Sequence, residues 1–198
     1  MKTETVPTEA RTKETTCSEY IPSEKMCKTT KETCTLNGFG RNICSDYKTT
    51  DRPDIDEYFL DMAETVAKRS TCLRHKVGAV LVKEKQILTT GYNGAPRNLS
   101  HCLDIGCIRE KNNIASGTMH ELCRAVHAEQ NAIIQAALHG INTNGATLYC
   151  THQPCILCAK MLINAGIQKV VFKNSYPDTA AICVMIEAGI KVETLYKK

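Results

Sequence analysis

"ATLYCTHQPCILCAKMLINAGIQKVVFK" occupies residues 146–173, and its reading decides the architecture. "ATLYCTH" (146–152) and "KVVFK" (169–173) read as strands, short apolar runs rich in β-branched and aromatic residues. Between them, from about 155 to 165, lies a helix with Pro154 at its mouth. Downstream, the spacing gives a helix over about 178–188 and a last strand, "KVETLY" (191–196). Upstream, a helix covers about 126–139. Before it, "KVGAVLVKE" (76–84) and "QILTTGYN" (86–93) read as two strands around a tight "KEKQ" turn. "PDIDEYFLDMAETVAKRS" (53–70) puts Ile55, Phe59, Met62, Ala63 and Val66 on one helical face, with Pro53 suited to the first turn. Strands alternating with helices after an opening hairpin imply an α/β fold, a mixed sheet with helices on its faces. No internal repeat is visible.

At 198 residues the chain has room for one core-bearing domain and not for two comfortable ones. Its net charge of +4, from 25 basic and 21 acidic residues, is too mild for a nucleic-acid-binding surface. No apolar run approaches the roughly 20 residues of a membrane span. The opening "MKTETVPTEARTKETT" has no apolar h-region, which argues against export. Twelve cysteines without such a signal point to thiols and metal sites in a reducing compartment, hence to a cytoplasmic protein. Residues 1–50 hold twelve threonines and many charges without helical or strand periodicity. Such a segment buries too little surface to offset its ordering entropy, and it reads as a disordered polar tail ahead of a domain at 51–198. Cys17, Cys27, Cys34 and Cys44 lie in that tail. They form no CxxC pair, so a metal knuckle there competes with thiols of no structural role.

Chemistry gathers at two helix starts. Cys155 and Cys158 follow Pro154 at i and i+3, on one face of a helix whose N-terminus favours thiolates. A CxxC pair alone is common, and it is as often packed or redox-active as metal-binding. "AVHAEQNAI" (125–133) changes the odds, because His127 opens another helix and completes a His/Cys/Cys set. Three protein donors leave the fourth tetrahedral position open, as in catalytic zinc sites. Glu129 stands roughly 200° round an ideal helix from His127, poorly placed as a co-ligand but able to reach the pocket above the metal. There a carboxylate can take a proton from zinc-bound water and pass it on. A lone histidine at a helix start is usually a cap or a packed residue. HxE followed some 25 residues later by PCxxC, each at its own helix start, is the pattern of the zinc-dependent nucleobase deaminases.

With these motifs the chain resembles the cytidine/deoxycytidylate deaminase family over about residues 54–196. "CLRHKVGAVLV" (72–82), "TTGYNGAPRNLSHC" (89–102), "CRAVHAEQNAI" (123–133) and "LYCTHQPCILCAKMLINAGIQKVVF" (148–172) stand in the family's order. "GYNG" and the cysteine-bearing insert draw the resemblance toward the deoxycytidylate (dCMP) deaminases. It implies a three-layer α/β/α sandwich on a mixed five-stranded sheet. It also implies hydrolytic deamination of dCMP to dUMP, on the route to thymidylate, with zinc-bound hydroxide attacking cytosine C4. On this reading His127, Cys155 and Cys158 hold Zn2+ and Glu129 is the catalytic proton shuttle. Asn93 contacts the sugar and Tyr176 of "SYPD" lines the nucleotide pocket, where an Asn-Gly turn and plain packing are the respective alternatives.

The stretch 95–124 is long, aperiodic and rich in Gly, Asn and Cys, which marks it as functional or pinned. Some dCMP deaminases hold a second, structural zinc there, with cysteines matching Cys72 and Cys102. Other members place a glutamate two residues before the catalytic histidine, where this chain has Ala125. Cys107 and Cys123 are the substitutes expected here, giving a closed Cys₄ site with His120 nearby, against ordinary buried thiols. The resemblance further implies a homo-oligomer and possible dCTP and dTTP effectors, and leaves dCMP and dCTP open as substrates. An RNA-acting deaminase would share the zinc core but add a basic groove, which Arg69, Arg74, Lys76, Arg97 and Arg124 could furnish. These could equally be surface charge or hold one nucleotide phosphate. A purely structural zinc module would have no use for Glu129.

Overall fold

The computed structural model describes residues 20–21, 26–27, 53–176 and 178–195, in two units, Met1–Pro53 and Asp54–Lys198. In the first unit, β1 (Tyr20–Ile21) and β2 (Met26–Cys27) pair antiparallel. The tail expected over 1–50, with its cysteine knuckle, otherwise lies outside the described residues.

In the second unit α1 (Ile55–Ala67) starts two residues after Pro53, which lies before the N-cap. Asp54 is the N-cap, its carboxylate accepting from the Asp56 amide at 2.9 Å. The buried stripe is Phe59, Leu60, Ala63 and Ala67. Ile55, placed on the core face from its spacing, is 42% exposed, because the helix packs only from its second turn onward. Strands β3 (Gly78–Lys83) and β4 (Gln86–Tyr92) form the expected hairpin, with Glu84 and Lys85 both at positive φ, as a two-residue turn of this twist requires.

The segment between β4 and the next long helix is not featureless. It folds into α2 (Cys102–Ile105), α3 (Ile108–Lys111) and a 3₁₀ turn at His120–Leu122. Single turns carry no periodic signal, which is why the segment looked aperiodic. Then α4 (Ala128–Leu138), β5 (Thr147–His152), α5 (Ile156–Asn164), β6 (Lys169–Asn174), α6 (Thr179–Glu187) and β7 (Lys191–Thr194) follow in order.

The sheet runs β4-β3-β5-β6-β7, with β3 antiparallel to β4 and β5, and β5, β6 and β7 parallel. Side chains of a strand alternate between faces. Val80 and Val82 of β3, Tyr149 of β5 and Val171 of β6 therefore meet α1 on one side. Ala79 and Leu81, Leu148 and Cys150, and Val170 and Phe172 meet α4, α5 and α6 on the other. The result is the expected three-layer α/β/α arrangement. Because both faces are covered, "GAVLV" is apolar throughout rather than alternating. Gly91 fixes the seat of α4: a Cβ there would lie 2.1 Å from the Ala128 carbonyl oxygen. The helix bearing the histidine motif thus rests directly on the β4 backbone.

Candidate active site

His127 is the N-cap of α4 and Cys155 the N-cap of α5. Gln130 reaches back so that its Oε1 accepts from the His127 amide at 3.0 Å. At α5 the amide of Ile156 donates to Asp178 Oδ2 at 2.8 Å, while Asp178 Oδ1 accepts from Ala181 N at 3.1 Å in α6. One carboxylate thus ties together the first turns of α5 and α6, and α5 carries both cysteines.

Two helix N-termini converge on one spot. His127 Nδ1 lies 3.5 Å from Cys155 Sγ and 3.4 Å from Cys158 Sγ. Hydrogen bonding from Cys158, then from His127, holds the Cys155 thiol well below its ordinary value, although burial opposes this. That same bond, together with burial, pushes Cys158 the other way. Burial opposes the charged form of His127, but the bond to Cys155 and the nearby Glu129 carboxylate outweigh it and raise its pKa. The cluster thus shares protons that a metal ion would displace. One imidazole within 3.5 Å of two sulfurs is the donor set zinc takes, and the residues fit it.

Glu129 is 4% exposed, and one carboxylate oxygen lies within 4.8 Å of the donor atoms of His127 and Cys158. Burial raises its pKa, with His127 pulling the other way. As the second residue of α4 it sits in the first turn of the helix, beside the donors.

His127, Glu129 and Cys155 line a cavity of about 410 Å³. Asn93 and Tyr176 both line it. The Asn93 side chain is no turn residue: Oδ1 accepts from Ser70 Oγ at 2.5 Å and Val77 N at 2.9 Å, and Nδ2 donates to His75 O at 2.8 Å. Three of its four hydrogen-bonding positions pin the segment between α1 and β3, which leaves one amide hydrogen for a ligand. Tyr176 leans over Gly117, whose missing Cβ would come within 3.1 Å of the phenol oxygen.

Cys72, Cys102, Cys107 and Cys123 also line this cavity, all as free thiols. Burial, followed by the proximity of Cys107, Cys72 and Cys123, raises the pKa of Cys102. Among the described residues no three of their sulfurs lie within 4.8 Å of one another. His120 is not with them. Its donor atom groups instead with those of His127 and Cys155.

Sequence reasoning missed two residues. Asp178, just before α6, was readable as an N-cap, but not as a tie to the cysteine helix. Arg109 gave no signal, since α3 is a single turn. Its side chain is only 8% exposed, yet Nη2 donates to Ala115 O at 2.8 Å and Thr118 O at 2.6 Å, and Nε has no partner.

A mixed sheet presenting a histidine and two cysteines at adjacent helix starts, with a buried carboxylate alongside, defines the zinc-binding deaminase class. The profile described as the cytidine and deoxycytidylate deaminase zinc-binding region matches residues 53–174, and the chain belongs to that family. Deoxycytidylate deaminase of Saccharomyces cerevisiae is 41% identical over 142 residues, 71% of this chain and 45% of the relative. The enzyme of that name from Mycobacterium phage D29 is 42% identical over 126 residues, 61% of this chain and 95% of the relative. The dCMP deaminase of cyanophage S-TIM5, crystallised with dCMP and dUMP, superposes with a TM-score of 0.62 at 35% identity, covering 74% of this chain and all of that one. The chain thus spans less than half the length of the Saccharomyces relative.

Proposed function

We propose that this protein hydrolyses dCMP to dUMP and ammonia, using a zinc ion held by His127, Cys155 and Cys158. The observation that carries the reading is the contact of His127 Nδ1 with both sulfurs, beside the buried Glu129 carboxylate. A zinc ion at these donors lowers the pKa of water to about 7 and so supplies a nucleophile at neutral pH. The chain's own residues do the rest. The N-termini of α4 and α5 favour the negative charge of the thiolates. Glu129, whose pKa burial raises, takes a proton from the attacking water. It delivers that proton to the ring nitrogen, then takes the second proton from the new C4 hydroxyl and passes it to the departing amine, which leaves as ammonia. The free amide hydrogen of Asn93 meets the sugar, and Tyr176 walls the nucleotide.

Charge in the cavity favours a nucleotide over a nucleoside. Arg74, Arg109 and Arg124 line it, and Glu129 is the single carboxylate among its lining residues. Among the described residues Arg109 forms no ion pair, so a 5′-phosphate is its natural counter-charge. The names of the relatives support the same substrate.

Cys72, Cys102, Cys107 and Cys123 are proposed to hold a second, structural zinc that pins the insert. Tyr92, Leu99, Ile134 and Leu138, all more than a third exposed along one groove of β4, the loop after it and α4, support a homo-oligomer. Regulation by dCTP and dTTP rests on the resemblance to dCMP deaminases. Among the described residues no helix is long and apolar enough to cross a membrane. Twelve cysteines, Cys155 and Cys158 of the His/Cys/Cys donor set among them, support a reducing, cytoplasmic setting.

The test is a substrate panel on the zinc-loaded full chain: dCMP, dCTP, cytidine and an RNA stem-loop, with dCTP and dTTP also added to the dCMP reaction. Preferential release of ammonia from dCMP is expected. Turnover of the RNA alone, or of nothing in the panel, would overturn the reading.

A further inference from the structure

His120 begins the 3₁₀ turn His120–Leu122, and both of its ring nitrogens are shielded from solvent without a hydrogen-bond partner. Buried imidazole nitrogens are normally satisfied, so two orphans on one ring point to something the protein binds there. The direction they face is informative. One donor atom each from His120, His127 and Cys155 lies within 4.8 Å of the others, and the His120 and His127 rings stand edge to face, 5.2 Å apart. Glu129 groups instead with His127 and Cys158. The carboxylate therefore approaches the donor cluster from the Cys158 side and His120 from the Cys155 side.

The chain holds His120 in this place. Met119, immediately before it, takes a left-handed backbone conformation with φ 49°, which turns the next residue inward. Arg109 grips the preceding loop through the carbonyls of Ala115 and Thr118. Tyr176 closes over Gly117.

We infer that His120 is a fourth protein donor to the zinc when no nucleotide is bound, and that it withdraws as the nucleotide enters. The inference rests on the His127, Cys155 and Cys158 reading of the metal site. An imidazole in that place closes the coordination position the reaction needs, so the empty enzyme retains its metal and keeps it from solvent. A nucleotide base entering over His127 competes for the same space, and the loop bearing His120 yields, because its ring has no other polar partner to lose.

X-ray absorption at the zinc edge on the zinc-loaded full chain counts imidazole donors per protein and does not depend on turnover. Two are expected in the substrate-free protein, one after His120→Ala or His120→Gln, and one when dUMP saturates the unmodified protein. His120→Ala should also release zinc to a chelator about tenfold faster, the usual scale for losing a supporting metal contact. A single imidazole in the unmodified, ligand-free protein overturns the inference, whatever the variants do. His127→Ala separates the two claims. If it leaves the zinc content unchanged, the parent reading of the site fails. If it removes zinc while a His120-dependent imidazole signal persists, His120 serves the cysteine cluster and this inference fails alone.

Discussion

Arg109 shows how much a single side chain reveals about its intended neighbour. A guanidinium that is 8% exposed, with Nε unpartnered, is costly to hold beside a cavity unless an anion enters. A charge-assisted hydrogen bond contributes about 1.5–3 kcal/mol, which is roughly 10- to 150-fold in binding. Arg109→Met should therefore lower kcat/KM for dCMP by about that factor and leave kcat/KM for cytidine, which has no phosphate, nearly unchanged. Steady-state kinetics on both substrates checks this. An equal loss on both would mean that Arg109 acts only by holding the loop at Ala115 and Thr118.

At the scale of elements, the site depends on how α5 and α6 are joined. Asp178 accepts from the first turns of both, and a lost cap costs about 1 kcal/mol. Asp178→Ala should lower stability by about 2 kcal/mol in chemical denaturation and speed zinc loss to a chelator. Unchanged zinc retention would show that α5 is held by its core contacts alone. The far edge of the sheet gives a pH-dependent counterpart. Lys169 bridges Asp56 of α1 and Glu193 of β7 at 2.8 and 2.7 Å. Hydrogen bonds from Lys169 and then Lys191 lower the Glu193 pKa below its ordinary 4.5. The native state thus binds this proton less readily than the unfolded chain. The stabilisation is complete above about pH 4.5 and is lost as pH falls through the depressed value. With the side chain 32% exposed it is small, about 0.2–1 kcal/mol. Glu193→Gln should flatten the acid limb of the stability curve by that amount, measured as denaturation midpoints from pH 3 to 7. An unchanged limb would place the acid sensitivity in other carboxylates.

Periodicity made the elements legible where they are long and repeat a pattern. The hairpin, the three parallel strands and the helices that cover them all have five or more residues in period, or clear flanking turns. The donors of the metal site were legible because HxE and PCxxC are local patterns at helix starts. What stayed hidden depends on contacts between distant parts of the chain. The single-turn helices at Cys102 and Ile108 are held by tertiary bonds such as those of Arg109, and their sequence carries no period. Ile55 lay on the right helical angle, but its turn precedes the sheet. The three internal bonds of Asn93 join segments up to 23 residues apart, which no local pattern records. His120 was readable as a neighbour of the insert cysteines. That it groups instead with His127 and Cys155 is a tertiary contact no local pattern records.

For the whole molecule, every group assigned a part in the chemistry lies in the unit that begins at Asp54. The 8 basic and 7 acidic residues of positions 1–50 nearly cancel, which leaves no strong electrostatic surface for a partner. A chain starting at Asp51 should fold, bind zinc and deaminate dCMP with kcat/KM within a few-fold of the full chain. Loss of turnover or a changed subunit count on truncation would instead give the tail cysteines a role in the pocket or the assembly. The central claim, that Glu129 moves protons for a zinc-dependent deamination of dCMP, is tested most directly by Glu129→Gln. The substitution nearly preserves shape and removes only the carboxylate. Zinc content and dUMP formation are measured on the same protein sample. The variant should keep its zinc and its fold and lose at least 10²–10⁴-fold in kcat, the scale of general acid–base catalysis. A variant with full zinc content that still converts dCMP at close to the unmodified rate would contradict the account.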